Sequence, residues 1–596
     1  MDLKPVLDQA LAAARAAGDI LRADFHRVGG PRGQVDKAEA DLEAERLIRS
    51  RLTSTFPHWG YLGEETGRHE GVSGAPRWLV DPNDGTRDYL EGRRGSAVSI
   101  GLLVDRRPVL GVVFAFAYPD DAGDLFAWAE GTGPLTRNQR PVVARLPVTL
   151  GAADVVLVSS KGDLDPRGNL ACVAPARYRS VPSIAHRLAL VAAGEAAAAT
   201  SLFAPGAWDY AAGHALIRAA GGLLVNESGQ EIVYGEDGSS RARRAFAGSG
   251  EVAIELARRP WEEVTTRGVL DLGSGLAPGR AVTEAGRLSR AQGCLLGQVA
   301  GDSLGGLVEF QGASEIAARH SDGPRLLADG GQWRLLAGQP TDDSELALAL
   351  ARSILANRGY SAEAALHAYR VWLASDPFDC GRTVRAALSG QPDPESQANG
   401  SLMRASPLGI LAHAETPAET ARLARQDAAL THPHPVCGDA TAAYAIAIAH
   451  AVRAGDGPRA AFTAALDWAR AEAAESVVGA LARAPEQPPN AEGARTGWVL
   501  VALQNAFYEL LHAPTLEEGV VASVRRGGDT DTNAAVTGAL LGAVYGRNGV
   551  PPQWRSQVLS CRPMAGASPR PRPLACWATD ALEIAEGLLL AGRACA

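Results

Sequence analysis

The spacing of apolar positions changes character once along the chain. Up to about residue 260, helical spacing alternates with short apolar runs. Leu3, Val6, Leu7, Ala10, Leu11 and Ala14 recur at helical intervals and predict a helix over 3–24, with a second over 38–55. The runs "WLVD" (78–81), "AVSIGLLV" (97–104), "PVLGVVFAFAY" (108–118) and "ADVVLVSS" (153–160) read as strands. The mixture predicts a layered α/β or α+β domain. From about 284 strand-like runs almost vanish. Ala/Leu-rich patterns predict helices over 284–300, 343–357, 362–375, 416–428, 438–454, 458–470, 496–511 and 532–546. This half reads as an all-α domain, packed through small residues. Between the two, 263–283 is rich in Gly and Thr, poorly periodic, and reads as a linker. The expected domains are therefore 1–262 and 284–596.

Composition narrows the class without naming a function. The 596 residues allow roughly two to four domains. With 46% apolar and 21% charged residues the chain can bury large cores and needs no disulfide scaffold. The net charge of −9 is spread out, and the cluster Arg241, Arg243 and Arg244 is too short to suggest nucleic-acid binding. Seven scattered cysteines, none in a C-x-x-C pair, argue for reduced thiols in a cytoplasm and against zinc. The N-terminal stretch carries acidic residues at helical spacing and does not read as a secretory signal. No run of about 20 uncharged apolar residues exists, so no membrane span is expected.

Four short segments of the first half carry chemistry: "GEETG" (63–67), "LVDPNDGTRDYLEG" (79–92), "PSIAHR" (182–187) and "GAWDYAAGHALIRAAGG" (206–222). An apolar strand ends at Asp81, turns through Pro82 and Asn83, and delivers Asp84, Gly85 and Thr86. Asp81 and Asp84 can then face one point, and Glu64 and Asp209 bring the set to four carboxylates. If they converge, they cannot all stay ionised without cations. Oxygen ligands of this kind suit Mg²⁺, and two such ions about 4 Å apart suit phosphate-ester hydrolysis by in-line attack of water. The rival reading of an Asp ahead of a helix such as 210–220 is an N-cap.

In order and content these segments resemble the inositol monophosphatase family, which includes inositol and sugar phosphatases and 3′(2′),5′-bisphosphate nucleotidases. The resemblance covers roughly residues 1–260 and implies a layered sugar-phosphatase-like fold. It implies metal ligation by Glu64, Asp81, Asp84, Asp209 and the carbonyl of Asn83, with Thr86, Glu64 and Asp41 orienting the attacking water. Amides near Gly85 and Thr86 would hold the phosphate, and Ser183 matches a serine near the substrate. Asn83 replaces the usual aliphatic residue, which matters little if only its carbonyl binds. Arg87 and Asp88 depart from the common inositol-phosphatase continuation, and 207–222 looks closer to the nucleotidase branch. Phosphatases of this kind are often dimers, which makes a homodimer one implied assembly.

The second half poses its own problem in "RRGGDTDTNAAVTGALLGAVYG" (525–546). Asp529 and Asp531 stand together at the mouth of an apolar helix, although like charges repel. An earlier counterpart, "QPTDDSELALALARSIL" (339–355), places Thr341, Asp342 and Asp343 at another helix start. Capping explains one such cluster, since Thr and Asp satisfy free N–H groups and favour the dipole. Two clusters in one helical domain point instead to an oxygen-only site for two hard cations, with Gly527 and Gly528 allowing close approach.

With "GCLLGQVAGDSLGGLVEF" (293–310), "ANGSLMRASPLGIL" (398–411) and "THPHPVCGDATAAYAIAIAH" (431–450), these segments resemble the ADP-ribosylglycohydrolase family over about 288–560. The resemblance implies an all-α fold and a dinuclear Mg²⁺ (or Mn²⁺) site held by Thr341, Asp342, Asp343, Asp529, Asp531 and Thr532. It implies cleavage of glycosidic bonds joining ADP-ribose to a protein side chain or related group. Gly400, Ser401, Met403 and Arg404 would contact ribose and diphosphate, and His432 would lie on the ligand side. Glu309 or Asp343 would act as general acid/base, with the choice open. His434, Arg525 and Arg526 read as solvated surface.

The leading expectation is a bifunctional metal-dependent hydrolase, acting on a small phosphate ester and on an ADP-ribosylated protein or ADP-ribose derivative. A narrower version has both sites serve one phosphorylated ADP-ribose-type metabolite. The alternatives are a scaffold that binds ADP-ribose with one domain silent, and acidic clusters that serve only folding.

Overall fold

The computed structural model describes residues 1–265, 273, 275–493 and 495–593. The chain divides into two compact units, one from Met1–Leu270 and Ala277–Thr283, the other from Asp271–Leu276 and Glu284–Ala596. Much of the expected linker, 266–272 and 274, lies outside the described residues. Its last part is not a free connector. A side chain on Gly279 would sit 2.4 Å from the backbone of Gly30, and Arg94 donates to the Val282 carbonyl at 2.7 Å, so 277–283 packs onto the first unit.

The first unit stacks helices and sheets in alternation. Helices Lys4–Phe25 and Glu39–Thr55 cover one face of an eight-stranded sheet. Helices Ile184–Ala192 and Ala207–Ala219 fill the space between that sheet and a five-stranded one. Helices Pro166–Val173 and Gly250–Ala257 close the far side. Because the central strands Ala97–Val104 and Arg107–Ala115 are covered on both faces, they read as continuous apolar runs rather than alternating ones. Gly101 and Gly111 pair across those strands, and a Cβ on Gly111 would lie 2.2 Å from the Ala212 carbonyl oxygen. Only glycine lets helix 207–219 approach so closely, and that approach positions Asp209 over the sheet.

Strand Arg77–Asp84 corrects the expected end at Asp81. It continues through Pro82 and Asn83 to Asp84, with an irregularity in register: Asp81 pairs with Ser99 and Asp84 with Ala97. Pro82 and Asn83 on one strand therefore oppose the single residue Val98 on its partner. In a regular strand positions i and i+3 point to opposite faces; the extra residue turns Asp81 and Asp84 the same way. Proline is tolerated at such a bulge.

The second unit is helical, with no strand among its described residues beyond isolated bridges. Helices Ala285–Gly305 and Thr530–Tyr545 run antiparallel at its centre. Gly293, Gly297, Gly301 and Gly305 on the first meet Gly542, Gly538, Ala534 and Thr530 on the second, a four-residue step on each side. A Cβ on Gly297 would lie 2.1 Å from the Gly538 carbonyl oxygen, and the reverse substitution is equally close. The two backbones are thus in contact, and the last contact, Gly305 against Thr530 and Asp531, lies at the acidic end. Helix Pro435–Ala454 is long and apolar enough to cross a membrane, but 89% of that stretch is buried inside the unit.

Gly297→Ala and Gly538→Ala should each destabilise the helical unit by about 2 kcal/mol or more, because a methyl would overlap facing backbone. Gly286→Ala, at the exposed start of the same helix, should instead stabilise by a few tenths to about 1 kcal/mol. Urea melts that find Gly297→Ala neutral would mean the backbones do not touch.

Candidate active sites

In the first unit the bulge and the glycine-backed helix bring four carboxylates together. Asp81 is buried, and its pKa lies well above the usual range because burial, then Glu64, Asp209 and Asp84, disfavour its charge. Burial, then Asp84 and Glu64, raise Asp209 in the same way. Burial is the main cause at Glu64 too, whose carboxyl is pushed up to about 7 although its side chain reaches solvent. Asp84 is also raised by burial, against hydrogen bonds from the Ser183 hydroxyl at 2.5 Å and the Ala185 N–H at 2.7 Å.

Asp209 is the third residue of helix 207–219. One of its oxygens accepts the Gly206 N–H at 2.8 Å, so it caps the helix while its charge faces the cluster. Across the ladder from Asp81, Ser99 donates to the Trp208 carbonyl at 3.0 Å and ties strand to helix beside Asp209.

Asp41 is 2% exposed and receives two donors: Asn83 Nδ2 at 2.9 Å and Thr86 Oγ1 at 3.1 Å. Burial nevertheless pushes its carboxyl up to about 7. The Thr86 hydroxyl also lies 2.9 Å from the Asn83 carbonyl. With one proton to give, it retains lone pairs that can accept from a water. The Asn83 side chain is therefore not incidental: it is wholly buried and holds Asp41. Gly85 has φ +100° and would set a Cβ 3.3 Å from Ser96, so the turn into Thr86 requires glycine. Ser183, expected near the substrate, spends its hydroxyl on Asp84 and caps helix 184–192, so it acts on the carboxylate.

In the second unit, neither Thr341 nor Asp529 caps its helix with its side chain. Asp302, from helix 285–305, performs that role for helix Asp342–Asn357. It accepts the Thr341 N–H at 2.9 Å, the Thr341 hydroxyl at 3.0 Å and the Ser344 N–H at 3.0 Å. Asp342 and Asp343 are thereby left to face the cluster, and Asp343 Oδ1 is buried without a hydrogen-bond partner. Burial comes first in raising Asp342, Asp343 and Asp531 well above the usual range; the neighbouring carboxylates Asp302, Asp379, Glu309 and Asp529 add to it. Thr532, from the facing helix, opposes that rise at Asp343.

Oxygens of Glu309, Asp379 and Asp531 all lie within 4.8 Å of one another. Burial, then Asp379, pushes Glu309 up to about 8, against a 2.8 Å hydrogen bond from the Trp333 indole. Gly527 and Gly528, at φ +73° and +76°, turn the chain into Asp529; Phe310 N–H donates to the Gly528 carbonyl and Gly528 N–H to Gln311, each at 3.1 Å. Asn399 holds Asp529 through a 2.7 Å hydrogen bond.

The expected ribose and diphosphate contacts do not all reach this surface. Arg404 is fully buried: it donates to Asp427 at 3.0 and 2.9 Å, to the Gly400 carbonyl at 3.1 Å and to Thr431 at 2.7 Å, over the ring of Tyr369. Its donors are consumed within the core, which corrects the expectation of a diphosphate contact. Gly400, Ser401 and Met403 are also buried; the Ser401 hydroxyl bonds Thr441, and the Met403 carbonyl accepts from Gln298. His432 packs over Gly400, with burial, then Arg404, pushing it down to about 3; its Nε2 has no hydrogen-bond partner. Arg526 is not solvated surface but pairs with Glu509 at 2.5 Å, and His434 caps helix 435–454.

Four supporting residues escaped the sequence reading. Glu45 accepts the Glu65 and Thr66 N–H groups at 2.7 and 2.8 Å and fixes the turn after Glu64; a Cβ on Gly63 would strike it at 2.0 Å. It follows Asp41 by four residues on one helix face, a legible signal. Asp302 is a lone charge in an apolar helical run, also legible. Asp379 stands in a loop and Asn399 opens the single 3-10 turn Asn399–Ser401; neither carries a periodic signal.

The chain matches the family model "ADP-ribosylglycohydrolase" over residues 283–590 and "Inositol monophosphatase family" over 2–259. It is 31% identical over 280 residues to the ADP-ribosyl-(dinitrogen reductase) glycohydrolase of Rhodospirillum rubrum, covering 45% of this chain and 90% of that one. It is 32% identical over 244 residues to Inositol monophosphatase 2 of Solanum lycopersicum, covering 39% and 90%. The solved ADP-ribosylglycohydrolase-related protein complex aligns at 27% identity and a TM-score of 0.42, over 51% of this chain and 98% of that one.

The raised carboxyls predict a pH dependence. A carboxyl with a higher pKa folded than unfolded stabilises the fold fully below its unfolded value, and that contribution disappears as pH rises through the folded value. Asp302 and Asp379 at about 6, Asp41 and Glu64 at about 7 and Glu309 at about 8 define the window. In chelator, the melting temperature should fall as pH rises from about 5 to about 8.5, and added Mg²⁺ or Mn²⁺ should restore more at the upper end. A melting temperature that climbs with pH in chelator would contradict the clustering.

Proposed function

The chain belongs to two hydrolase families, the inositol monophosphatase family through residues 2–259 and the ADP-ribosylglycohydrolase family through 283–590, and from that premise we propose a bifunctional metal-dependent enzyme. Its first unit, within 1–262, hydrolyses a phosphomonoester of an inositol, sugar or nucleotide. Its second, within 284–596, cleaves an ADP-ribosyl glycosidic bond. The observation that carries the reading is the pair of clusters in which buried carboxylates hold one another's charge down.

The donor sets fit hard divalent cations: all-oxygen ligands, mutually repelling, with the orphaned Asp343 Oδ1 among them. Glu64, Asp81, Asp84, Asp209 and the Asn83 carbonyl would hold them in the first unit, and Thr341, Asp342, Asp343, Asp529, Asp531 and Thr532 in the second. Bound there, Mg²⁺ or Mn²⁺, two or more in each unit, would supply Lewis-acid stabilisation of developing negative charge.

The chain's own groups do the rest. In the first unit Asp41 takes the Thr86 hydroxyl proton in a hydrogen bond, and Thr86 Oγ1 accepts from the attacking water and aims it. In the second, Glu309 is the better general acid of the two candidates. It stands beside Asp379 with one oxygen fixed by Trp333, whereas Asp343 bonds Thr341 within the helix mouth. Asn399 and Asp302 keep the facing carboxylates in place.

Mg²⁺-dependent release of ADP-ribose from arginine-ADP-ribosylated protein tests the second unit, and phosphate release from phosphomonoesters the first. Asp529→Ala should lower the former at least about a hundredfold and spare the latter; Asp81→Asn should do the reverse. Loss of both activities in either folded variant would refute two separate sites. No release by the wild type would refute the arginine linkage.

A further inference from the structure

One stretch of the helical unit stands outside every helix and outside the carboxylate cluster: Pro569, Arg570, Pro571, Arg572, Pro573. The three prolines are exposed, Arg570 is half-buried and Arg572 is buried. Proline fixes its own φ, so five residues carrying three of them make a stiff strap with few alternative paths. The strap is tied down along its length. The Arg570 N–H donates to Ser568 Oγ at 3.0 Å and the Arg572 N–H to the Pro563 carbonyl at 2.6 Å. The Arg572 carbonyl accepts the Trp577 indole N–H at 3.0 Å.

The inward contacts of the strap lead to the acidic site of this unit. Arg570 lies over the ring of Trp333, 5.8 Å from its centroid, and donates to the Trp333 carbonyl at 3.3 Å. Trp333 in turn holds Glu309 through its indole at 2.8 Å. Arg572 forks between two elements. Its Nε and Nη2 each donate at 2.8 Å to Glu345, two residues beyond Asp343 on the same helix. Its Nη1 and Nη2 donate to the Ser375 carbonyl and hydroxyl at 3.0 and 2.9 Å. Ser375 opens the loop that carries Asp379, and the far end of that loop is held where Asp342 accepts the Gly381 N–H at 3.1 Å. Phe378, next to Asp379, packs on Trp333 with ring centroids 5.7 Å apart, so the two branches meet beside Asp379.

Glu309 and Asp379 arrive from separate segments and repel each other at close range. A cation set directly on them would occupy their oxygens. Among the described residues, no hydrogen bond or ion pair joins Arg570 or Arg572 to either one; the arginines hold the residues that hold them. We propose that strap 569–573 sets the spacing of Glu309 and Asp379 at the glycosidic site, with Arg570 and Arg572 as positioning residues that act through Trp333 and Ser375. The inference rests on the glycohydrolase reading of the second unit.

The test uses the full chain with Mg²⁺ and arginine-ADP-ribosylated protein. Removing Arg572 would leave Glu345 buried and unpaired and could unfold the unit, so Arg570→Ala and Pro571→Gly, at less buried positions, are the informative variants. Each should lower kcat for ADP-ribose release about tenfold and change KM by less than about twofold, because a misplaced reactive group slows the reaction without loosening the substrate. Arg570→Lys keeps a cation over Trp333 and should retain most of the rate. Hydrogen exchange, read by mass spectrometry, should rise in 306–312 and 375–381 and stay at wild-type levels in helices 285–305 and 530–545. Exchange that rises throughout the helical unit would make the strap a stability element only and overturn the inference. Unchanged exchange in both segments, or local loosening with kcat intact, would also overturn it; in all three cases an active wild type leaves the glycohydrolase reading standing. No ADP-ribose release by the wild type would overturn the arginine-linked reading and the positioning role together.

Discussion

Buried carboxylates repel one another, and each unit of this chain is organised around a cluster of them. In water such repulsion is small; in a protein interior the same charges at the same separation act much more strongly. Burial raises Asp81, Asp209, Asp342, Asp343 and Asp531 far above the usual carboxylate range, and their neighbours raise them further. A fold that tolerates this must hold the carboxylates in place by contacts that do not depend on them. In both units the contact is backbone against backbone at glycine. Gly101 and Gly111 admit the helix that carries Asp209; Gly293, Gly297, Gly301 and Gly305 admit the helix that begins at Asp529 and Asp531. The close approach is bought from van der Waals contact along the whole helix, and the acidic residues stand at its end.

The second common feature is that several of the clustered carboxylates are braced by neighbours along the chain or from another element. Ser183 and the Ala185 N–H hold Asp84, Glu45 holds the turn after Glu64, Asn83 and Thr86 hold Asp41, and Asn399 holds Asp529. Asp302 performs the capping that Thr341 and Asp342 would otherwise provide, and so releases them for other work. Such supporting contacts reduce the freedom of charged groups before any ligand arrives, which is what the proposed metal and phosphate sites require. That the two units, of different secondary structure and different family, reach the same arrangement reflects the shared chemistry of hard oxygen ligands rather than any likeness of fold.

Much of this was legible in the sequence. Strand 97–104 and helices such as 362–374 and 458–472 follow from apolar periodicity, because a buried face must repeat with the geometry of its element. The acidic clusters were legible because several carboxylates beside Gly and Pro are hard to explain by a solvated surface. Other features had no local signal. The bulge at Pro82 and Asn83 depends on pairing with 97–99, which lies in another strand. Asp379 joins the second cluster from a loop and Asn399 from a single 3-10 turn, and no periodicity dictates the path of either. Arg404 looks like a ligand contact in one dimension and is a core cation in three, since Asp427, Thr431 and Tyr369 arrive from other segments to enclose it.

By itself, then, the sequence determined the two textures of the chain, the positions of the helices and central strands, and the identity of most of the clustered carboxylates, because each of these follows from local residue type and spacing. Tertiary structure alone decided which side each aspartate faces, which polar groups brace it, and which charges are spent inside the core. Those outcomes depend on partners tens to hundreds of residues away, and on whether two backbones can approach closely enough to deliver them.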